Sequence, residues 1–197
     1  MHIYHFNINN MTDDEFIRYY SLMNPEKKKR VDRFRFYDDK KRTVAGEMIA
    51  RKAISEKCNV NPEKIVFATE KHGKPFAEDL SIHFNISHSE DFVVCAVADT
   101  PVGIDIEKIR PINLKTAKKF CNEDELLYIF GHMPAENDFA ETTDTVLLTR
   151  FFEIWTKKEA YGKCIGEGLC FKIPENNYKF EVFYDIDGYI ITLCSKQ

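Results

Sequence analysis

Hydrophobic and polar residues alternate, or recur at helical spacing, along most of the chain, and these patterns predict its elements. Alternation predicts strands over residues 2–7, 65–68, 82–89, 92–98 and 102–107, and a terminal hairpin of 178–184 and 189–194. Helical spacing predicts helices over residues 13–23, capped by Thr12, over a long basic region 25–57, and over 114–130 and 146–163. Strands and helices occur in both halves, so the sequence predicts an α+β fold.

The turn Asp99-Thr100-Pro101 is the expected crossing between these halves. We therefore predict an N-terminal lobe of residues 1–102 and a C-terminal lobe of residues 103–197. Two segments lack a clear period. Residues 71–80 are predicted to form a loop, and residues 131–144 (GHMPAENDFAETTD) a mobile, acidic surface loop.

The predicted strand from residue 102 places two carboxylates on one face. Val102, Ile104 and Ile106 alternate with Gly103, Asp105 and Glu107. The Cα atoms of Asp105 and Glu107 are then about 6.5 Å apart, which lets both side chains approach one cation. A solvated face of an edge strand is the alternative interpretation.

The last long helix carries a second pair of charged residues on its core-facing stripe. The apolar members Leu148, Phe151, Phe152 and Trp155 recur at helical spacing, and Glu159 and Lys163 continue the same stripe. Charged groups that face an interior need partners. Alternatively, Glu159 and Lys163 form an ordinary i,i+4 pair on the surface, worth about 0.2–0.5 kcal/mol.

Several motifs occur in an order that resembles a known enzyme family. They are F-N-I-S-H-S at 84–89, G-I-D-I-E at 103–107, and W-x-x-K-E-A-x-x-K-x-x-G-x-G-L at 155–169, with G-K-P at 73–75 and Arg42-Thr43 at the end of the basic segment. Over residues 25–171 the chain resembles the 4′-phosphopantetheinyl transferases of the Sfp type. This resemblance implies two similar α+β lobes in a pseudo-twofold arrangement.

The resemblance also implies an activity and its partners. Such an enzyme transfers 4′-phosphopantetheine from coenzyme A to a serine of an apo carrier protein and releases adenosine 3′,5′-bisphosphate. Carrier proteins of fatty-acid, polyketide and nonribosomal-peptide synthesis are the substrates of the family, and segment 131–144 corresponds to a region near their docking surface. We expect a cytoplasmic monomer.

The matched positions imply roles for individual residues. The 3′-phosphate of coenzyme A is expected at Lys27, Arg30 and Arg42, and its diphosphate at Lys74, Ser87 and His88. A diphosphate beside carboxylates needs a cation between them, and oxygen ligands favour Mg²⁺, with Mn²⁺ as a substitute. Asp105, Glu107 and Glu159 are its expected ligands. Glu159 is also the expected general base, with Glu107 as the alternative, and Lys163 is expected to stabilise charge on the transferring group.

Composition limits the alternatives. The chain has 197 residues, 44% of them hydrophobic, with a net charge of −4, which argues against a general nucleic-acid binder. The basic segment 27–42, interleaved with aromatic residues, keeps a nucleic-acid binding module open, as well as a different Mg²⁺-dependent nucleotide enzyme. The six cysteines contain no C-x-x-C pair, and no long apolar run occurs, as expected for a cytoplasmic protein.

Overall fold

The computed structural model describes residues 2–69, 73–170, 172–174 and 176–197. The helices are α1 (Asp13–Leu22), α2 (Pro25–Arg33), α3 (Tyr37–Cys58), α4 (Ala117–Phe120), α5 (Glu123–Phe130) and α6 (Thr145–Ile165). The strands are β1 (His2–Asn7), β2 (Phe67–Thr69), β3 (Pro75–Ala77), β4 (His83–Ser89), β5 (Phe92–Ala98), β6 (Val102–Lys108), β7 (Ile112–Asn113), β8 (Glu141–Thr142), β9 (Tyr178–Phe183) and β10 (Tyr189–Lys196). Within the described residues, no helix is long and apolar enough to cross a membrane.

Each half of the chain builds its own three-stranded antiparallel sheet, and the two sheets share one topology. The first sheet has the strand order β1-β5-β4 and the second β6-β10-β9, so in each the last strand lies between the first and the penultimate one. Each half also forms a small two-stranded sheet, β2-β3 or β7-β8. This shared topology confirms the predicted α+β fold of two similar lobes.

The main helices and sheets stack in layers. Helix α3 covers one face of the first sheet, where Val93, Cys95 and Val97 join the N-terminal core. The opposite face packs against the second sheet through a separate apolar cluster that includes Val94 and Ile104. Strand β5 ends at residue 98 and β6 begins at residue 102, so the chain crosses between lobes over 99–101. The predicted division after residue 102 lies next to this crossing and stays a prediction.

Two glycines let α6 approach its neighbours closely. A Cβ atom on Gly103 would lie 2.0 Å from the carbonyl oxygen of Ala160, so β6 tolerates no side chain at that position. A Cβ atom on Gly162 would lie 1.7 Å from the carbonyl oxygen of Gly168. The first contact brings the C-terminal part of α6 directly onto the strand that carries Asp105, and the second packs the segment after α6 against the same part of the helix.

The prediction of one basic helical region over 25–57 is wrong in one respect, because residues 34–36 separate α2 from α3. The chain turns back there, and Val31 is buried in the core beside α3. In an unbroken helix Lys27 and Glu47 would lie about 30 Å apart, at 1.5 Å per residue. Their side chains instead form an ion pair of 2.6 Å, which requires the turn.

The predicted helix over 114–130 is also interrupted. A 3₁₀ turn (Leu114–Thr116) and the short α4 come first, and α5 begins anew at a capping box formed by Asn122 and Glu125. Segment 131–144 is less irregular than predicted, since β8 pairs with β7 and Phe139 is buried. Residues 71 and 72 of the predicted loop 71–80 lie outside the described residues, and its remainder contains β3.

Candidate active site at the lobe junction

Asp105 lies at the junction of the two lobes and is 4% exposed. Its Oδ1 atom accepts hydrogen bonds from Ser87 Oγ of β4 at 2.8 Å and from Lys163 Nζ of α6 at 2.5 Å. Lys163 Nζ also donates to Ser87 Oγ at 2.9 Å. Two elements, β4 of the N-terminal lobe and α6 of the C-terminal lobe, therefore hold one carboxylate oxygen.

The second oxygen of the same carboxylate is different. Asp105 Oδ2 is buried and has no hydrogen-bond partner within the described structure. Desolvation raises the pKa of Asp105 to about 6, and the charge of Glu107 adds to this rise, although Lys163 and Ser87 act in the opposite direction. The ionised carboxylate is thus incompletely compensated by the protein alone.

Glu107 lies two residues further along β6 and is also held by one oxygen. Its Oε2 atom accepts a hydrogen bond from Ser89 Oγ at 2.9 Å and a long one from Arg110 Nη1 at 3.4 Å. Its Oε1 atom accepts no hydrogen bond from any described residue. Uncommitted oxygens on Asp105 and Glu107 are the donor type that Mg²⁺ takes, so these two residues fit the expected metal.

Glu159 does not join this pair as a preformed ligand. Its carboxylate is half-buried on α6 and makes no hydrogen bond or ion pair with any described residue. Among the described residues, no group of three or more His, Cys, Asp or Glu side chains is arranged to hold a metal ion. A three-carboxylate ligand set that includes Glu159 therefore stays a prediction. Lys163 pairs with Asp105 rather than with Glu159, unlike the i,i+4 surface pair considered above.

A cavity of about 320 Å³ joins the start of the basic segment to the G-K-P motif. Lys27 and Arg30 of α2 line it on one side, and Gly73 and Pro75 line it on the other. Lys27 Nζ also donates to the buried Glu47 Oε2 at 2.6 Å. An ammonium group has three protons, so this pairing leaves Lys27 able to bind an anion in the cavity as well.

Arg42 and His88 lie near the turn between β4 and β5. Arg42 donates to the carbonyl oxygen of Glu90 at 2.7 Å and to Asp39 Oδ1 at 2.6 Å. Desolvation lowers the pKa of His88, and the positive charges of Arg42, Lys163 and Arg30 lower it further. These side chains therefore share a positive field, which suits a phosphate ligand.

Lys74 connects the G-K-P motif to the other lobe. Its ammonium group donates to the carbonyl oxygen of Lys163 at 2.7 Å and to that of Cys164 at 3.4 Å, near the C-terminal end of α6. A cation is favourable at that end of a helix. Lys74 thus lies beside the backbone of Lys163, and its expected contact with a diphosphate stays a prediction.

Sequence reasoning missed two sets of polar residues. Asn85 and Ser89 of β4 bind strand β6, and Glu47 with Arg51 forms a buried pair in α3. The first set had a signal, because F-N-I-S-H-S places polar residues at every second position of a strand. The pair of Glu47 and Arg51 had no such signal. Apolar residues occur on all sides of the second half of α3, so the sequence does not show which face of that helix is buried.

Comparison with known proteins identifies the family of the chain. The family model "4'-phosphopantetheinyl transferase, N-terminal" matches residues 10–100, and "4'-phosphopantetheinyl transferase superfamily" matches residues 101–194. The chain is 40% identical over 158 residues to the 4'-phosphopantetheinyl transferase gsp of Aneurinibacillus migulanus, covering 80% of this chain and 61% of that protein. With psf-1 of Bacillus pumilus the identity is 43% over 147 residues, or 74% of this chain and 59% of the relative.

A third relative is covered more completely. The 4'-phosphopantetheinyl transferase Sfp of Bacillus subtilis (strain 168) is 35% identical over 176 residues, which are 89% of this chain and 73% of that protein. The chain belongs to the 4′-phosphopantetheinyl transferase superfamily. It spans about three fifths of the length of gsp and psf-1. None of these similarities supports the nucleic-acid binding alternative.

Proposed function

We propose that this protein transfers the 4′-phosphopantetheine moiety of coenzyme A to a serine of an apo carrier protein in a Mg²⁺-dependent reaction. The observation that carries the proposal is the pair of incompletely bonded carboxylates, Asp105 and Glu107, at the lobe junction. Membership of the superfamily supplies the class of reaction. A buried carboxylate oxygen without a partner, such as Asp105 Oδ2, is costly for a fold, which is a reason to attribute it to a ligand.

The basic side chains support coenzyme A as the donor substrate. Lys27 and Arg30 line the cavity that also contains the ends of the G-K-P motif, and Arg42 lies near His88. In the proposed complex Lys27, Arg30 and Arg42 bind the 3′-phosphate. Lys74, Ser87 and His88 contact the diphosphate.

Asp105 and Glu107 would hold the Mg²⁺ ion, with Glu159 as a third ligand or as the base. When bound, the ion supplies positive charge that neutralises the diphosphate and the developing charge of the transition state. Lys163 uses two of its protons on Asp105 and Ser87, which leaves one for a phosphate oxygen. It therefore stabilises charge on the transferring group and the leaving group.

The proton of the attacking serine needs an acceptor. Glu159 is half-buried, one helical turn from Lys163, and its carboxylate is uncommitted in the described structure. We assign it as general base, directly or through a water, a role worth roughly 10² to 10⁴-fold in rate. The serine oxygen attacks the β-phosphorus, the bond to adenosine 3′,5′-bisphosphate breaks, and the serine proton passes to Glu159.

We also propose that the protein acts as a cytoplasmic monomer. Its six cysteines are free thiols, as is usual in a reducing compartment. The carrier protein would approach the lobe junction. Segment 131–144, which the family resemblance relates to the docking surface, belongs to the same lobe as the proposed metal ligands.

Mass spectrometry of an apo carrier protein tests the proposal. Incubation with the protein, coenzyme A and Mg²⁺ should add the mass of one phosphopantetheine to the carrier, and EDTA should prevent the addition. Binding of coenzyme A with no mass gain on any of several acyl, peptidyl and aryl carriers would contradict it. A gain that persists in EDTA would contradict the metal assignment alone.

A further inference from the structure

Strand β4 presents polar side chains to strand β6 across the lobe junction. Asn85, Ser87 and Ser89 lie at every second position and thus on one face of β4. Strand β6 is an edge strand of the second sheet, because it pairs with β10 on one side and the described strands of that sheet leave its other side open. An edge strand has backbone N–H groups without ladder partners, and buried ones need acceptors.

Two of these side chains bind the backbone of β6 on either side of its carboxylates. Asn85 Oδ1 accepts a hydrogen bond from the N–H of Ile104 at 2.9 Å, and Ser89 Oγ accepts one from the N–H of Lys108 at 3.1 Å. Asp105 and Glu107 lie between those two anchor points. The β4 face therefore sets the position of β6 where its carboxylates project.

Ser89 makes a further contact that determines the direction of its proton. A hydroxyl has one proton to donate, and a backbone N–H can only donate. Because Lys108 N–H already points at Ser89 Oγ, the hydroxyl proton is left for Glu107 Oε2, 2.9 Å away. This bond holds Oε2 and leaves Oε1 as the oxygen available to a ligand.

We propose that Ser89 is a positioning residue that orients the Glu107 carboxylate for metal binding, an inference that rests on the function proposed above. Arg110 contacts the same Oε2 atom, but at 3.4 Å and with its side chain about half exposed, so it restrains the carboxylate less. Ser87 differs from Ser89 because its hydroxyl is shared between Asp105 and Lys163.

Mn²⁺ binding, measured by electron paramagnetic resonance with saturating coenzyme A, tests this role without relying on turnover. Ser89→Ala should weaken Mn²⁺ binding by about tenfold, the lower end of the usual effect of losing a partner that orients a metal ligand. The KM for Mg²⁺ should rise with it, while the KM for coenzyme A changes little. Ser89→Thr keeps a hydroxyl and should bind Mn²⁺ nearly as the wild type does.

Two further variants keep the test decisive. Ser55→Ala removes another half-buried hydroxyl, which donates to the carbonyl oxygen of Val60 in the N-terminal lobe, and should leave Mn²⁺ affinity unchanged. If Ser89→Ala does not fold, Ser89→Val replaces it, because valine has the shape of threonine and is well accepted in strands. Of the two variants at position 89, only Ser89→Thr should then bind Mn²⁺ normally.

The outcomes separate this inference from the proposed function. If the wild type binds Mn²⁺ and Ser89→Ala, or Ser89→Val, binds it equally well, Ser89 does not position Glu107, and the proposed function is unaffected. If Ser89→Thr is as weak as Ser89→Ala, the hydroxyl is not the determining group and the inference is wrong. If the wild type itself does not bind Mn²⁺, the metal part of the proposed function fails, and this inference fails with it.

Discussion

Each lobe buries one carboxylate, Glu47 on α3 or Asp105 on β6 beside α6, and the two differ in how completely they are paired. In the N-terminal lobe, Glu47 is bound through one oxygen by Arg51 at 2.6 Å and through the other by Lys27 at 2.6 Å. In the C-terminal lobe, Asp105 is bound through Oδ1 alone, and Oδ2 has no partner among the described residues. A saturated buried carboxylate stabilises one arrangement of the fold, whereas an unsaturated one is ready for a ligand.

The surroundings of the two carboxylates support the distinction. Arg51 also donates to the carbonyl oxygens of Leu22, Pro62 and Ile65, so the Glu47 network ties several segments of the lobe together. Asp105 is tied instead to Lys163, which keeps a proton for a further acceptor. We therefore regard Glu47 as structural and Asp105 as functional.

The largest effect is expected at Asp105. Asp105→Ala should abolish transfer, because it removes a proposed metal ligand. It should leave the fold intact, because the charge of Asp105 is incompletely compensated in the folded protein. Without metal, the free energy of unfolding should stay equal or rise, since the variant no longer buries a desolvated charge. Carrier modification and thermal unfolding measure both effects. An active Asp105→Ala enzyme would remove the basis of the metal assignment, and an unfolded one would make Asp105 structural.

The opposite result is expected at Glu47. Glu47→Ala leaves Arg51 buried without its carboxylate and should lower the free energy of unfolding by about 3–5 kcal/mol. A matched control is Glu63→Ala, which breaks the exposed pair with Arg18 and should cost less than about 1 kcal/mol. Urea denaturation of the two variants provides the comparison. Similar small losses for both would show that the Glu47 network is not structural.

Lys163 should affect chemistry more than substrate binding. Lys163→Ala should lower kcat by roughly 10² to 10³-fold and change coenzyme A affinity little, because the lysine acts on charge that develops in the transition state. Lys163→Arg should restore little, since a planar guanidinium cannot replace a compact ammonium between Asp105 and Ser87. Single-turnover rates and coenzyme A titrations separate the two effects. Chemistry near the wild-type rate in Lys163→Ala would contradict this role.

A smaller and more selective effect is expected at Arg42. Arg42→Ala should weaken coenzyme A by about 10- to 100-fold, the loss of a hydrogen bond to a charged group, and should barely affect 3′-dephospho-coenzyme A. Arg42 is a cleaner probe than Lys27, whose removal would also disturb Glu47. Calorimetric titration with both ligands makes the comparison. Equal weakening of the two would place the 3′-phosphate elsewhere.

Much of the fold follows from local patterns. The alternation in β6 and the apolar stripe of α6 predict the two elements that bear Asp105 and Lys163, since each pattern reflects one buried face. The interruption before α5 also had a local signal, the capping box of Asn122 and Glu125 within the predicted helix 114–130. The turn at residues 34–36 had no such signal, because it depends on packing between α2 and α3.

The site could be predicted only in part. Motif positions indicate which residues matter, but the bonds that distinguish Asp105 from Glu47 join residues far apart in sequence. Lys163 reaches Asp105 across 58 positions, and Lys74 reaches the backbone of Lys163 across 89. Such contacts depend on how the lobes pack, and no spacing in the sequence encodes which carboxylate oxygen is left without a partner.

Metal binding by the two carboxylate variants tests the contrast most directly. Mn²⁺ is titrated into the wild type, Asp105→Ala and Glu47→Gln with saturating coenzyme A, and bound metal is followed by electron paramagnetic resonance. The account predicts that the wild type and folded Glu47→Gln bind Mn²⁺ alike and that Asp105→Ala loses binding. Undiminished Mn²⁺ binding by Asp105→Ala would contradict it.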